Sequence, residues 1–183
     1  FFSDSRVRRA MTHIVDREMI CKHLLKGIGV VPSGPFYIHG PLNDPNLKPW
    51  PCDLEKAKIL LDEAGWIDTD GDGIRDKNGR KFTFKFMHVA GRSLHEQLTK
   101  HLRDQAAKVG IEVVPDPYEW SVFLTRLLDQ QFEGVTLAWF TDVVEDPYEV
   151  FHSSQIGNRG SNHVAFRNKE ADEIMERARR ILD

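Results

Sequence analysis

Between residues 81 and 139 the hydrophobic period changes repeatedly, and that alternation limits the chain to few architectures. Residues 81–89 place Phe82, Phe84 and Phe86 at every second position, the period of a strand. Residues 94–109 carry Leu98, Leu102 and Ala106 at helical spacing. A strand over 111–114, a helix over 120–128 and a strand over 135–139 follow. Strands joined by helices of that length pair in parallel, because the return path is too long for a hairpin. The expected class is α/β, with a mainly parallel βαβαβ sheet flanked by helices.

The stretch 53–79, DLEKAKILLDEAGWIDTDGDGIRDKNG, leads into that sheet. Asp53 is a good N-cap, and Leu54, Ala57, Leu60, Leu61 and Ala64 recur along one helix face. Gly65 ends the helix, since the residue just past the C-cap must reach left-handed φ, and Trp66 packs back on the last turn. Beyond it, Asp68, Asp70, Asp72 and Asp76 follow a D-x-D-x-D-G-x-x-D spacing that lets alternate carboxylates converge, as a calcium loop requires. A loop of that kind starting at Asp68 needs a bidentate Glu where this chain has Gly79, and a strand follows in place of the second helix. The plainer reading is an acidic turn that uses Asp and Gly for its geometry.

Ser3 or Asp4 is placed to cap a first helix carrying Val7, Ala10, Met11 and Ile14. Asp16 can cap a second with Met19, Ile20, Leu24 and Leu25, stopped at Gly27. Residues 31–51 hold six of the nine prolines and read as loop, because each proline removes an N–H from any ladder or helix. A short helix, a polar loop and a terminal helical pattern over 171–182 close the chain. The 183 residues, 40% hydrophobic and 29% charged, suit one domain with a sizeable core. The start at Phe1 and the helical pattern still running at the end are those of a piece of a longer protein.

A net charge of −3 argues against a nucleic-acid surface, and the arginines at 6, 8 and 9 and at 177, 179 and 180 read as solvated helix faces. No stretch approaches the ~18 apolar residues of a membrane-spanning helix. Cys21 and Cys52 fit either a disulfide or two free thiols. The eight histidines form no H-E-x-x-H, and the chain has neither a phosphate-binding P-loop nor a G-x-S-x-G elbow. His88, at a strand end, and His95 are the pair that would sit beside a site. The residues offer no nucleophile, base and orienting group in one motif, so neither an enzyme nor a cofactor is expected.

Seven segments, taken in order, carry a resemblance. They are F-S-D-x-R-V-R-x-A (2–10), D-R-E-x-I (16–20), G-V-V-P-S-G-P (29–35), D-x-x-K-A-x-x-L-L-x-E-A-G-W (53–66), D-G-D-G-I (70–74), V-G-I-E-V (109–113) and W-F-T-D-x-x-E-D-P (139–147). Together they resemble the family 5 extracellular solute-binding proteins, the dipeptide, oligopeptide and nickel class that feeds ABC importers. The resemblance implies one lobe of a type II periplasmic-binding fold, with 1–183 a single domain from the larger, C-terminal lobe. It further implies a small peptide or similar solute as ligand, held between lobes that close by hinge motion, with permease subunits and the remaining lobe as partners. The implied setting is periplasmic or extracellular, membrane-anchored in the full-length protein.

The resemblance also implies site residues. Asp142 stands where peptide-binding relatives place the carboxylate that pairs with the ligand's α-amino group, although an Asp there also suits a helix cap. Trp139 would line the pocket or belong to plain core, and Arg92 follows the first strand where some relatives hold the peptide carboxylate. Glu145 departs from the commoner small or polar residue before Asp-Pro and leaves the ligand class open. The alternatives are a calcium-stabilised module resting on Asp68, Asp70, Asp72 and Asp76, or an enzyme.

Overall fold

The computed structural model describes residues 1–138, 146–157 and 160–182. Helix α1 (Ser5–Ile14) starts where the Asp4 carboxylate accepts the Arg6 N–H at 2.8 Å. Bonds from the Arg6 side chain and backbone hold the Asp4 carboxyl at a pKa of about 2. Val7, Ala10 and Ile14 form its buried face, one residue per turn. The next segment departs from the sequence pattern. Helix α2 (Arg17–Met19) is a single turn capped by Asp16, and the chain then widens into a π-helical turn at Ile20–Leu24 in which Leu25 donates back to the Ile20 carbonyl at 2.9 Å. Its apolar residues are only half-buried.

The proline-rich stretch that follows is irregular, as expected. It is pinned at its far end, where Trp50 stacks on His13 at 5.3 Å and the Asp53 N–H donates to the His13 carbonyl at 2.9 Å. Cys21 and Cys52 are both free thiols. Helix α3 (Leu54–Glu63) begins with Asp53 accepting the Lys56 N–H at 2.9 Å. It ends with the Trp66 N–H on the Leu61 carbonyl and the Gly65 N–H on the Asp62 carbonyl, Gly65 lying at φ +79°. This paired closure is the one the sequence signalled. Ala57, Leu60 and Leu61 face α1, and Trp66 is buried beside Phe82.

A two-residue hairpin, β1 (Asp76–Lys77) with β2 (Arg80–Lys81), delivers the chain to β3 (Thr83–Val89). Helix α4 (Ser93–Ala107), β4 (Glu112–Tyr118), helix α5 (Trp120–Leu128) and β5 (Gly134–Val135) complete the expected βαβαβ run. Both β4 and β5 pair with β3 in parallel, giving the order β4-β3-β5. Strand β3 is covered on both faces except at Lys85, which is exposed. Phe82 and Phe84 join Val7, Leu61, Leu102 and Val113 on one side, while Met87 and Val89 meet Phe123 and Leu127 of α5 on the other.

Strand β4 runs four residues beyond the expected 111–114 and takes in Pro115 and Pro117. In a parallel ladder alternate residues aim both backbone groups at the same neighbour. The Glu112 N–H donates to Phe82 and the Ala90 N–H to Tyr118, so 112, 114, 116 and 118 face β3 while 113, 115 and 117 face outward. Both prolines therefore stand where an N–H would have no partner, the one place a strand tolerates them.

The remaining described residues form helix α6 (Tyr148–Phe151), a 3₁₀ turn (Ser153–Gln155) and helix α7 (Lys169–Leu182). Asn162, fully buried, binds this unit together: its amide donates to the carbonyls of Phe151, His152 and Phe166, and its oxygen accepts the Phe166 N–H at 2.9 Å. The His152 ring stacks on Tyr148, its Nδ1 accepts the Ser154 N–H, and its Nε2 lies 3.4 Å from the Glu176 carboxylate. Asp172 accepts Ser153 N–H and Oγ–H, and those bonds hold its carboxyl below the ordinary carboxylate range. Replacing Asn162 with Ala strands several buried backbone groups, so Asn162→Ala is expected to destabilise the protein by roughly 2–4 kcal/mol in urea unfolding. A loss within the error of the midpoint would show that water replaces the amide.

Candidate functional site

In an open parallel sheet the strands' carboxyl ends leave a rim of helix N-termini and loop residues, the usual place for a ligand. Here that rim is built from the ends of β3 and β4. After Val89 the chain passes through Ala90 and Gly91, which lies at φ +70°, and enters α4 at Ser93 with Arg92 as N-cap. Arg92 is exposed, and its side chain makes no capping bond. The first N–H groups of α4 thus face the rim beside a guanidinium, a pairing that favours a carboxylate or other anion.

Two histidines flank Arg92. His88, the next-to-last residue of β3, is 4% exposed, and its Nδ1 lies 3.5 Å from the Phe86 carbonyl. His95, in the first turn of α4, has a buried Nδ1 without a hydrogen-bond partner. Burial first, then the neighbouring His88 and Arg92, keeps the His95 pKa below the ordinary histidine value. Its ring is thus biased toward the neutral form, a hydrogen-bonding group and not a second cation. On the β4 side, Glu119 caps α5 by accepting the Ser121 N–H at 2.9 Å, and Trp120 stands 54% exposed while stacking on Phe123. An exposed indole supported from below offers an apolar platform.

Of the residues expected at the site, Arg92 is on this rim. Trp139, Asp142 and Glu145 lie outside the described residues. Trp120 was not singled out by the sequence pattern, where it reads only as the start of a helix. Its signal is its place directly after the β4 end. A separate groove of about 530 Å³ lies on the sheet's flank next to β5, walled by Phe84, Phe86, Phe132 and Val135.

The sequence model of the bacterial extracellular solute-binding proteins, family 5 Middle, matches residues 1–162. The chain belongs to this family. Oligopeptide-binding protein AppA of Bacillus subtilis is 37% identical over all of this chain and 34% of its own length. The dipeptide-binding protein of Escherichia coli is 28% identical over 98% of this chain and 32% of its own. Among solved structures, AppA in complex with a nonapeptide superposes with a TM-score of 0.86 at 36% identity, over 97% of this chain and 36% of that one. NikZ of Campylobacter jejuni in complex with Ni(L-His) gives 0.87 at 26% identity, over 98% and 36%. The fold of this family 5 chain is that of the type II periplasmic binding proteins. It spans about a third of the length of the relatives it matches.

The acidic turn of this family 5 chain is bound largely to itself. Asp68 accepts the N–H groups of Gly71 and Gly73 at 2.8 and 2.9 Å, and Asp76 accepts the Thr69 N–H and hydroxyl. Asp68, Asp70 and Asp76 bring one oxygen each within 4.8 Å of one another, whereas Asp72 stands outside that group and pairs with Lys81. The Lys81 ammonium also lies 3.3 Å from Asp70. Lys81 at Asp70 and Asp72, and backbone and hydroxyl donors at Asp68 and Asp76, already engage these carboxylates, so thermal melts in calcium and in chelator are expected to coincide. A rise of several degrees with calcium would instead mark the turn as a metal loop.

Proposed function

We propose that residues 1–183 form part of the larger, C-terminal lobe of a two-lobed ABC-importer receptor, which captures a peptide in the cleft between its lobes by hinge closure. The observation that carries this is the family match over 1–162, joined to 37% identity with an oligopeptide-binding relative. In this reading the rim of the sheet is one wall of the cleft. Arg92 and the start of α4 receive the peptide carboxylate, Asp142 pairs with the α-amino group, and Trp139 and Trp120 supply apolar surface. The opposing lobe closes over the ligand, and the closed receptor delivers it to permease subunits. The protein works outside the cytoplasm, in the periplasm or anchored at the cell surface, and binds its ligand without transforming it.

Removing one member of a desolvated charge pair typically costs ~2–5 kcal/mol of binding. In the full-length receptor Asp142→Asn, and separately Arg92→Ala, should each weaken peptide binding by tenfold or more in calorimetry, with little change in melting temperature. Retained affinity with lowered stability would make Asp142 a helix cap instead.

A cleft buries its ligand from both sides, so 1–183 alone leaves much of the peptide in water. The same titration run on this piece should show weak binding or none. Equal affinity for the piece and the full-length receptor would place the whole site within these residues and overturn the two-lobed reading.

A further inference from the structure

The β1–β2 hairpin turns through Asn78 and Gly79, which lie at φ +53° and +74° between the register pairs Lys77 with Arg80 and Asp76 with Lys81. Positive φ at both central residues is the two-residue turn that matches the twist of a hairpin, and Asn-Gly is the pair that adopts it most readily. Both residues are exposed. Among the described residues neither the Asn78 carboxamide nor the Gly79 N–H has a hydrogen-bond partner. A Cβ built on Gly79 would meet nothing within 4 Å, so the space beside its Cα is open. Of the six asparagines, only Asn78 is followed by glycine.

The geometry points to Asn78 as a site of spontaneous backbone modification, in which its side-chain amide is lost through a cyclic imide with Gly79. The Gly79 nitrogen gives its proton to hydroxide and attacks Asn78 Cγ, forming an N–Cγ bond. The Cγ–NH₂ bond breaks, and the amine leaves as ammonia carrying the returned proton. Water then opens the ring at either carbonyl, yielding aspartate or isoaspartate. The balance is one amide and one water converted to one carboxylate and one ammonium, with no change of oxidation state. Glycine matters because it puts no side chain in the path of its own nitrogen and lets the turn rotate toward the reactive geometry.

The two products differ in what they leave of the hairpin. Aspartate keeps the backbone and suits the same turn. Isoaspartate routes the chain through the side chain and adds a methylene to it, which no two-residue turn accommodates. The pairing of Asp76 with Lys81 is then lost, and with it the seat of Lys81 against Asp70 and Asp72. Modification at one exposed residue thereby loosens the acidic turn several residues away.

The test incubates the folded protein for days at mildly alkaline pH and maps peptides by mass, with enzymatic methyl labelling of isoaspartate. The expected result is an isoaspartate signal at 78 that exceeds the summed conversion of the other five asparagines, and that Asn78→Gln abolishes. The same incubation in denaturant supplies the control that needs no variant. Conversion in denaturant with an intact Asn78 in the folded protein would show that the turn protects it, and would overturn the proposal.

Discussion

A strand covered on both faces over most of its length is the constraint on which the rest of this molecule depends. Strand β3 packs Phe82 and Phe84 against α1, α3 and α4, and packs Met87 and Val89 against α5. Burying both faces demands cover on both, which the crossover helices α4 and α5 supply together with α1 and α3. The aromatic side is thick: Phe1 stacks on Phe82 at 4.7 Å, Phe2 meets Phe84 edge-on at 5.2 Å, and Trp66 closes the group at 4.6 Å from Phe82. Phe1 and Phe2, half-buried against these rings, tie the start of the chain to the sheet.

How much of this was legible depended on whether the signal was local. The cap at Asp53, the closure at Gly65 and Trp66 and the alternation of Phe82, Phe84 and Phe86 are each decided within a few residues, and the structure follows them. Pro115 and Pro117 misled because a proline counts against a strand unless one knows which edge faces a neighbour, and that is a property of the sheet. The segment after Asp16 differs in kind: its helical spacing is sound, but its apolar residues are only half-buried, and burial of an apolar face is what usually keeps a short helix regular. At the site, Arg92 is readable because it follows a strand end directly. The exposure of Trp120 is not, since a helix start looks alike whether its first side chain is buried or bare.

The rim and the core make different demands on the same backbone. Arg92 occupies an N-cap position without capping, where Asp4, Asp53 and Glu119 each satisfy an N–H of their own helix. A helix that leaves its first donors unused, next to an exposed cation, forgoes local stability at the place where a solute-binding fold meets its ligand. The neighbouring imidazole of His95 adds a hydrogen-bonding group whose charge is suppressed by its surroundings. The corner therefore combines one permanent charge with an imidazole held below its ordinary pKa.

The outward prolines of β4 have a consequence for how copies of this sheet meet. Open sheets are prone to join edge to edge, and a fibre needs two receptive edges on every unit so that each addition exposes another. Among the described residues the outward side of β4 offers carbonyls at 115 and 117 but no N–H to answer them, which leaves Val113 as its donor. Two residues that remove nothing from the fold thus make this edge a poor template for a further strand.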